Sequence, residues 1–150
     1  MTQFRKAAGE GHHVAIRVYY EDTDAGGIVY YANYLRFAER ARTEFLRSLG
    51  FERTDERFGV AFAVRHCTAD YLASARLDDL LDVETRLLDA GGASLKVEQA
   101  IRRDGTELVR LIVRVACIRS DGKAVRMPME LRDALKAYAS HFTSKRKRSA

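Results

Sequence analysis

Two aspartates one residue apart, then two glycines, then tyrosines leading into a helical pattern: the stretch Val18–Arg42 reads VYYEDTDAGGIVYYANYLRFAERAR. Gly26 and Gly27 permit positive φ and close backbone approach. The helix start that follows supplies unpaired N–H groups and the positive end of the helix dipole. A carboxylate held just before such an end, Asp24, can attack a carbonyl carbon or activate water to do so. Backbone N–H groups would meanwhile hold the carbonyl oxygen, with the N–H of Tyr31 the expected donor. Gly27, Tyr30 and Tyr34 are expected to line the substrate's place, although tyrosines beside a helix serve equally well as core. Asp22 reads as a loop-structuring residue, because aspartate side chains readily accept bonds from nearby N–H groups.

The elements that must position this stretch are legible from periodicity. A strand is expected at Val14–Tyr20. Tyr34, Phe37, Ala38, Ala41, Phe45 and Leu49 then recur at helical spacing, with Arg36, Arg40, Arg42 and Arg47 mostly on the other side. Asn33 suits the N-cap or first turn, and Gly50 suits the stop at C′. After the helix the period becomes two. Val60, Phe62 and Val64 begin a strand running to about Tyr71. Leu81–Leu87, Leu95–Ile101 and Val109–Cys117 alternate likewise, separated by turns at Gly91–Gly92 and Asp104–Gly105, and Asp121–Gly122 closes the last. A short amphipathic helix is expected over Met129–Tyr138. A one-faced helix inserted into such a meander must bury that face against the sheet. The pattern predicts an α+β domain over 14–140, its antiparallel sheet wrapped around one long helix. A flexible segment is expected at 1–13 and a basic tail at 141–150. The last strand is long and apolar along one face, so as an exposed edge it would invite pairing with a second copy.

Composition narrows the class. The chain has 150 residues, enough for one core without disulfides or metal. No apolar run reaches a membrane span, and the start MTQFRKAAGEGHH lacks an apolar signal stretch. Cys67 and Cys117 stand alone, which suits a reducing cytoplasm and two buried small hydrophobes. The net charge is +5, but Lys145, Arg146, Lys147 and Arg148 form one run, and without those four charges +1 remains. No nucleic-acid partner is therefore expected, and the basic tail suits at most weak contact with a membrane surface. His12, His13, His66 and His141 show no ligand spacing beyond one adjacent pair, so no metal is expected. Ser74 and Ser94 lack histidine–acid partners at recognisable spacing.

The pattern YxDTDxxGxVYxxxY at Tyr20–Tyr34, the ERAR that follows on the helix, and AxxDDxLxVET at Ala75–Thr85 resemble the hotdog-fold acyl-CoA thioesterases. The resemblance runs from about residue 14 to 130. It is a resemblance to the Tol-Pal-associated YbgC branch and also to the 4-hydroxybenzoyl-CoA thioesterase branch with an aspartate at the loop. It implies a hotdog fold and hydrolysis of an acyl-CoA to free acid and CoA, with Asp24 catalytic and the Tyr31 N–H polarising the thioester carbonyl. No bound cofactor is implied, since CoA arrives with the substrate. A homodimer or homotetramer is implied, with sites where one subunit's loop meets the neighbour's strands. Whether Asp24 is nucleophile or general base stays open.

The chain departs from its relatives in places. Tyr31 stands where the YbgC branch commonly has histidine, and Ala73 where relatives often have proline. The phosphate-gripping arginine pair of the hydroxybenzoyl branch has no counterpart near Gly91–Gly92, so Arg65, Lys123 and Arg126 are the candidates for holding CoA. A hotdog hydratase or dehydratase would need a histidine in the loop–helix region, and Glu21–Arg42 contains none. Glu39 on the helix reads as an ion-pair residue. A non-catalytic module binding acyl-CoA or an acyl carrier protein is the alternative.

Overall fold

The computed structural model describes residues 11–148, with side chains described through Ala139. In chain order it contains β1 (His12–Arg17), α1 (Asn33–Ser48), β2 (Thr54–Asp55), β3 (Val60–Tyr71), β4 (Leu80–Ala90), β5 (Ser94–Arg103), β6 (Thr106–Ile118) and α2 (Met129–Arg148). The six strands form one antiparallel sheet in the order β1-β4-β5-β6-β3-β2. This is the hotdog architecture, a curled sheet around the apolar face of α1.

Helix α1 exists because its apolar face is continuous: Tyr34, Phe37, Ala38, Ala41, Phe45 and Leu46 are buried. Truncating Phe37 or Phe45, both essentially without solvent contact, would cost about 3–5 kcal/mol. The helix ends in a Schellman arrangement. The Phe51 N–H donates to the Leu46 carbonyl and the Gly50 N–H to that of Arg47, with Gly50 at φ 89°. Ala32, not Asn33, is the N-cap residue. Asn33 lies in the first turn and donates from Nδ2 to the Asp22 carbonyl at 2.9 Å, tying the helix to the preceding loop.

Several boundaries differ from the sequence reading. β1 begins at His12, so the segment expected to be flexible over 1–13 is strand by His12–His13; residues 1–10 lie outside the described residues. The reason is burial and pairing: His12 packs edge-on against Phe45, and His13 Nδ1 meets the Asp82 carboxylate at 2.9 Å. β1 also stops at Arg17, because the Val18 N–H turns to the Asp79 carbonyl and a 3-10 turn follows at Tyr20–Asp22. α2 runs past Tyr138 to Arg148, through a sequence with no glycine or proline to stop it. The backbone of Lys145–Arg148 is thus helical; Ser149 and Ala150 lie outside the described residues.

The edge strand was misplaced as well. β6 sits inside the sheet between β5 and β3 and has no free edge. β1 forms one edge of the sheet, and at the other most of β3 is left open. β2 pairs only with its first residues, Val60 and Ala61, and Val64–Thr68 and Asp70–Tyr71 are exposed. Cys117 is buried but Cys67 is exposed: a bulge between Val64 and His66 pairs Cys67 with the inward-facing Val113, yet Cys67 lies on the stretch of β3 that β2 leaves uncovered. Among the described residues, no helix is long and apolar enough to cross a membrane.

Candidate active site

The loop between β1 and α1 is a small hairpin of its own. Thr23 and Val29 form an antiparallel bridge, the Asp24 N–H donates to the Ile28 carbonyl at 2.9 Å, and the Gly27 N–H donates to the Asp24 carbonyl at 3.0 Å. The two glycines serve the turn differently. Gly27 has φ 77°, a region costly for any residue with a Cβ. Gly26 donates its N–H to Asp24 Oδ1 at 2.8 Å, and a Cβ there would stand 3.2 Å from that oxygen.

Asp22 and Asp24 differ in their surroundings. Asp22 is buried; its Oδ2 accepts from the Tyr19 N–H at 2.8 Å and its carbonyl from the Tyr30 N–H at 3.0 Å. Asp22 thus holds the loop together from within. Asp24 is exposed, and its Oδ1 accepts one N–H bond from its own loop.

Asp24 opens onto a cleft of about 390 Å³ whose walls include Tyr30, Tyr31, Tyr34, Tyr71 and Leu72. Among the hydrogen bonds of the described residues, the Tyr31 N–H donates to none, while its neighbours Tyr30 and Asn33 are both engaged. An unclaimed N–H at a helix start, sharing a cleft with a carboxylate, is the arrangement required of an oxyanion donor. The side chains of Tyr30 and Tyr31 are exposed, and Tyr31 meets Tyr71 edge-on at 5.9 Å. Burial first of all raises the Tyr71 phenol above its ordinary pKa. Tyr34 is core, 3% exposed. Its hydroxyl accepts from the Ala75 N–H at 2.9 Å, which pins the segment carrying Leu72–Ser74 against the cleft. Burial raises its pKa as well. Tyr20, by contrast, points to solvent.

Tyr71 and Leu72 were not anticipated as site residues. Their signal was available, since an aromatic at the end of a strand that returns toward the loop is placed to cover it. Arg65, Lys123 and Arg126 are not brought to Asp24 within one chain. Arg65 donates to the Gly122 carbonyl at 3.1 Å, next to Lys123. Arg126 adjoins Met127, whose N–H donates to the Gly92 carbonyl. Arg65 and Tyr71 are six residues apart on β3, about 20 Å at strand rise. Glu39 is an ion-pair residue, held by Arg53. Among the described residues, no group of three or more His, Cys, Asp or Glu could hold a metal.

Comparison with known proteins places this geometry in a family. The model of the thioesterase-like superfamily matches residues 18–135, and the chain belongs to that family. Within it, the chain is 46% identical over 127 residues to an acyl-CoA thioesterase YbgC of Haemophilus influenzae, covering 83% of this chain and 93% of that protein. It is 49% identical over 107 residues to an acyl-CoA thioester hydrolase YbgC of Escherichia coli, covering 69% and 78%. A crystal structure of a probable thioesterase from Bartonella henselae superposes with a TM-score of 0.75 at 40% identity, covering 79% of this chain and 99% of that one.

Proposed function

We propose that this chain hydrolyses acyl-CoA thioesters to free acid and CoA, with Asp24 as the catalytic carboxylate and the Tyr31 N–H as oxyanion donor. The observation that carries the reading is the shared cleft: Asp24 and Tyr31 both line it, and the Tyr31 N–H donates to no partner among the described residues. The YbgC relatives, named for acyl-CoA thioester hydrolysis, supply the substrate class. Thioester chemistry suits so sparse a site, because the departing thiol has a pKa of roughly 8.5 and needs little acid assistance. Asp24 either attacks the carbonyl carbon, giving a mixed anhydride that water then hydrolyses to the free acid, or takes a proton from attacking water; in both routes the thiolate leaves and takes up a proton. The electron pair displaced onto the carbonyl oxygen is held by the Tyr31 N–H until the C–S bond breaks.

The working unit in this reading is a dimer joined through the open edge of β3. Antiparallel pairing of that edge with a second copy extends the sheet and covers exposed strand. It also sets the end of β3 carrying Tyr71 opposite the partner's beginning of the strand. Arg65 and Lys123 of one copy then approach the cleft of the other, where the CoA phosphates would lie, with Arg126 at the same end of the sheet. The setting is cytoplasmic, as for other enzymes that consume acyl-CoA, and no bound cofactor takes part.

Thiol release from short, long and aromatic acyl-CoAs tests the proposal. Turnover on any of them supports hydrolysis, and the ranking defines the acyl group. Stoichiometric binding with no acid released would instead favour a module that carries acyl-CoA or acyl-carrier-protein thioesters.

A further inference from the structure

Farther along α1 lies a second cavity that the proposed hydrolysis does not use. It occupies about 280 Å³ between α1 and the sheet, walled by Phe45, Leu46, Phe62, Val97 and Val115, with Arg42 among its lining residues. The sequence reading put Arg42 with the outward arginines, but its guanidinium turns toward the sheet. Nη1 donates to Gln99 Oε1 at 3.0 Å. Gln99 has no solvent exposure, and its Nε2 donates to the Ala38 carbonyl at 2.9 Å and to Thr85 Oγ1 at 3.0 Å. The amide's donors are thereby fixed on two acceptors, so its oxygen faces Arg42 and the guanidinium is held in one direction.

What this cation lacks is an anion. Among the described residues, no carboxylate forms an ion pair with Arg42; Glu39, on the same helix and also at the cavity, is paired with Arg53. A half-buried charge beside apolar walls is costly unless paired, and burial pulls the Arg42 guanidinium below its ordinary pKa. A neutral amide at one N–H offsets part of that cost. The remaining donors of the planar fork are shaped for a carboxylate, and the walls beyond suit a hydrocarbon chain. At about 30 Å³ per water-sized group, the volume admits a chain of about nine heavy atoms.

We infer that this cavity is a binding site for a free aliphatic carboxylate of medium length, its head on Arg42 and its chain among Phe45, Leu46 and Phe62. The ligand is of the class that acyl-CoA hydrolysis would release, but within one chain the cavity shares no lining residue with the Asp24 cleft, and its binding does not depend on turnover.

The test is calorimetric titration of the full-length protein, without CoA, using sodium octanoate and octan-1-ol as probes. Octanoate is expected to bind wild type and Asp24→Ala alike, and octan-1-ol roughly tenfold to a hundredfold more weakly, the worth of a charged hydrogen-bond pair. Arg42→Met, which keeps the apolar stem, is expected to abolish that preference. Equal binding of acid and alcohol to wild type, no binding of either, or loss of octanoate binding in Asp24→Ala would overturn the inference. Should Arg42→Met fail to fold, [1-13C]octanoate on wild type gives an independent reading. Its bound carboxyl is expected to titrate below the free acid, and titration at or above the free value would overturn the site. Dissociation of a wild-type dimer into monomers by Arg42→Met, with no octanoate bound to wild type, would show that a second copy's carboxylate is the missing anion.

Discussion

Replacing Tyr34 with phenylalanine removes one oxygen and leaves a defined debt. The hydroxyl accepts the Ala75 N–H at 2.9 Å, and both residues are out of solvent, Tyr34 at 3% and Ala75 at 0% exposure. The Ala75 carbonyl meanwhile receives the Val29 N–H at 2.9 Å, so this residue joins the loop between β1 and α1 to the segment that walls the cleft. Phenylalanine keeps the packing and strands a buried N–H, which costs about 1–3 kcal/mol. For a chain of this size each kcal/mol moves the melting temperature by about 2–4 °C. Urea denaturation of Tyr34→Phe against wild type, at one protein concentration because association would add its own stabilisation, is the assay. A loss within that range is expected, with a rise in KM as the Leu72–Ser74 wall loosens. A change under about 0.5 kcal/mol, the usual scatter for an inconsequential substitution, would refute the reasoning.

Other expectations follow from the same geometry. Burial alone would raise the pKa of Glu84, but hydrogen bonds from Arg102, the Gly11 N–H and Arg86 outweigh it and hold the carboxyl at about 2, below its ordinary 4.5. The stabilisation is therefore full above about pH 4.5 and is lost as pH falls toward about 2. It is worth on the order of 3 kcal/mol, and Glu84→Gln should lack that acid-sensitive part; parallel stability–pH curves for the two proteins would contradict it. Gly27→Val forces a β-branched residue to positive φ, at about 1–2 kcal/mol, and should lower kcat more than it raises KM by displacing Asp24. An unchanged kcat in steady-state kinetics would count against the role of that turn. Charging the open edge of β3 with His66→Asp and Thr68→Asp should yield monomers in sedimentation and lower thiol release. Full activity in a monomer would remove the composite site.

The legible parts were those where a local pattern decides the outcome. The Asp24 turn was readable because glycine, aspartate and a helix start have few other ways to fit together. α1 was readable because its apolar residues keep one spacing for sixteen residues. What escaped depends on partners distant in sequence. Nothing in the alternation of Val109–Cys117 says that β3 will lie against β6, so the free edge was assigned to the wrong strand. Cys67 is exposed because β2 pairs only with Val60 and Ala61 and leaves its stretch of β3 uncovered, which no local alternation reveals. Arg42 borders the apolar stripe, where polarity alone reads as outward. Its partner did leave a signal, since Gln99 occupies the inward phase of Leu95, Val97 and Ile101, and a polar side chain there needs a buried partner.

The central claim, that Asp24 carries the chemistry, is tested most directly by thiol release from the best acyl-CoA substrate, wild type beside Asp24→Ala, at matched concentration and oligomeric state. Because Asp24 is exposed and bonds only its own loop, the variant should fold as wild type does. Loss of a positioned base or nucleophile predicts a fall of about 10²–10⁴ in kcat, with substrate binding retained. A folded Asp24→Ala that keeps most of its turnover would contradict the account.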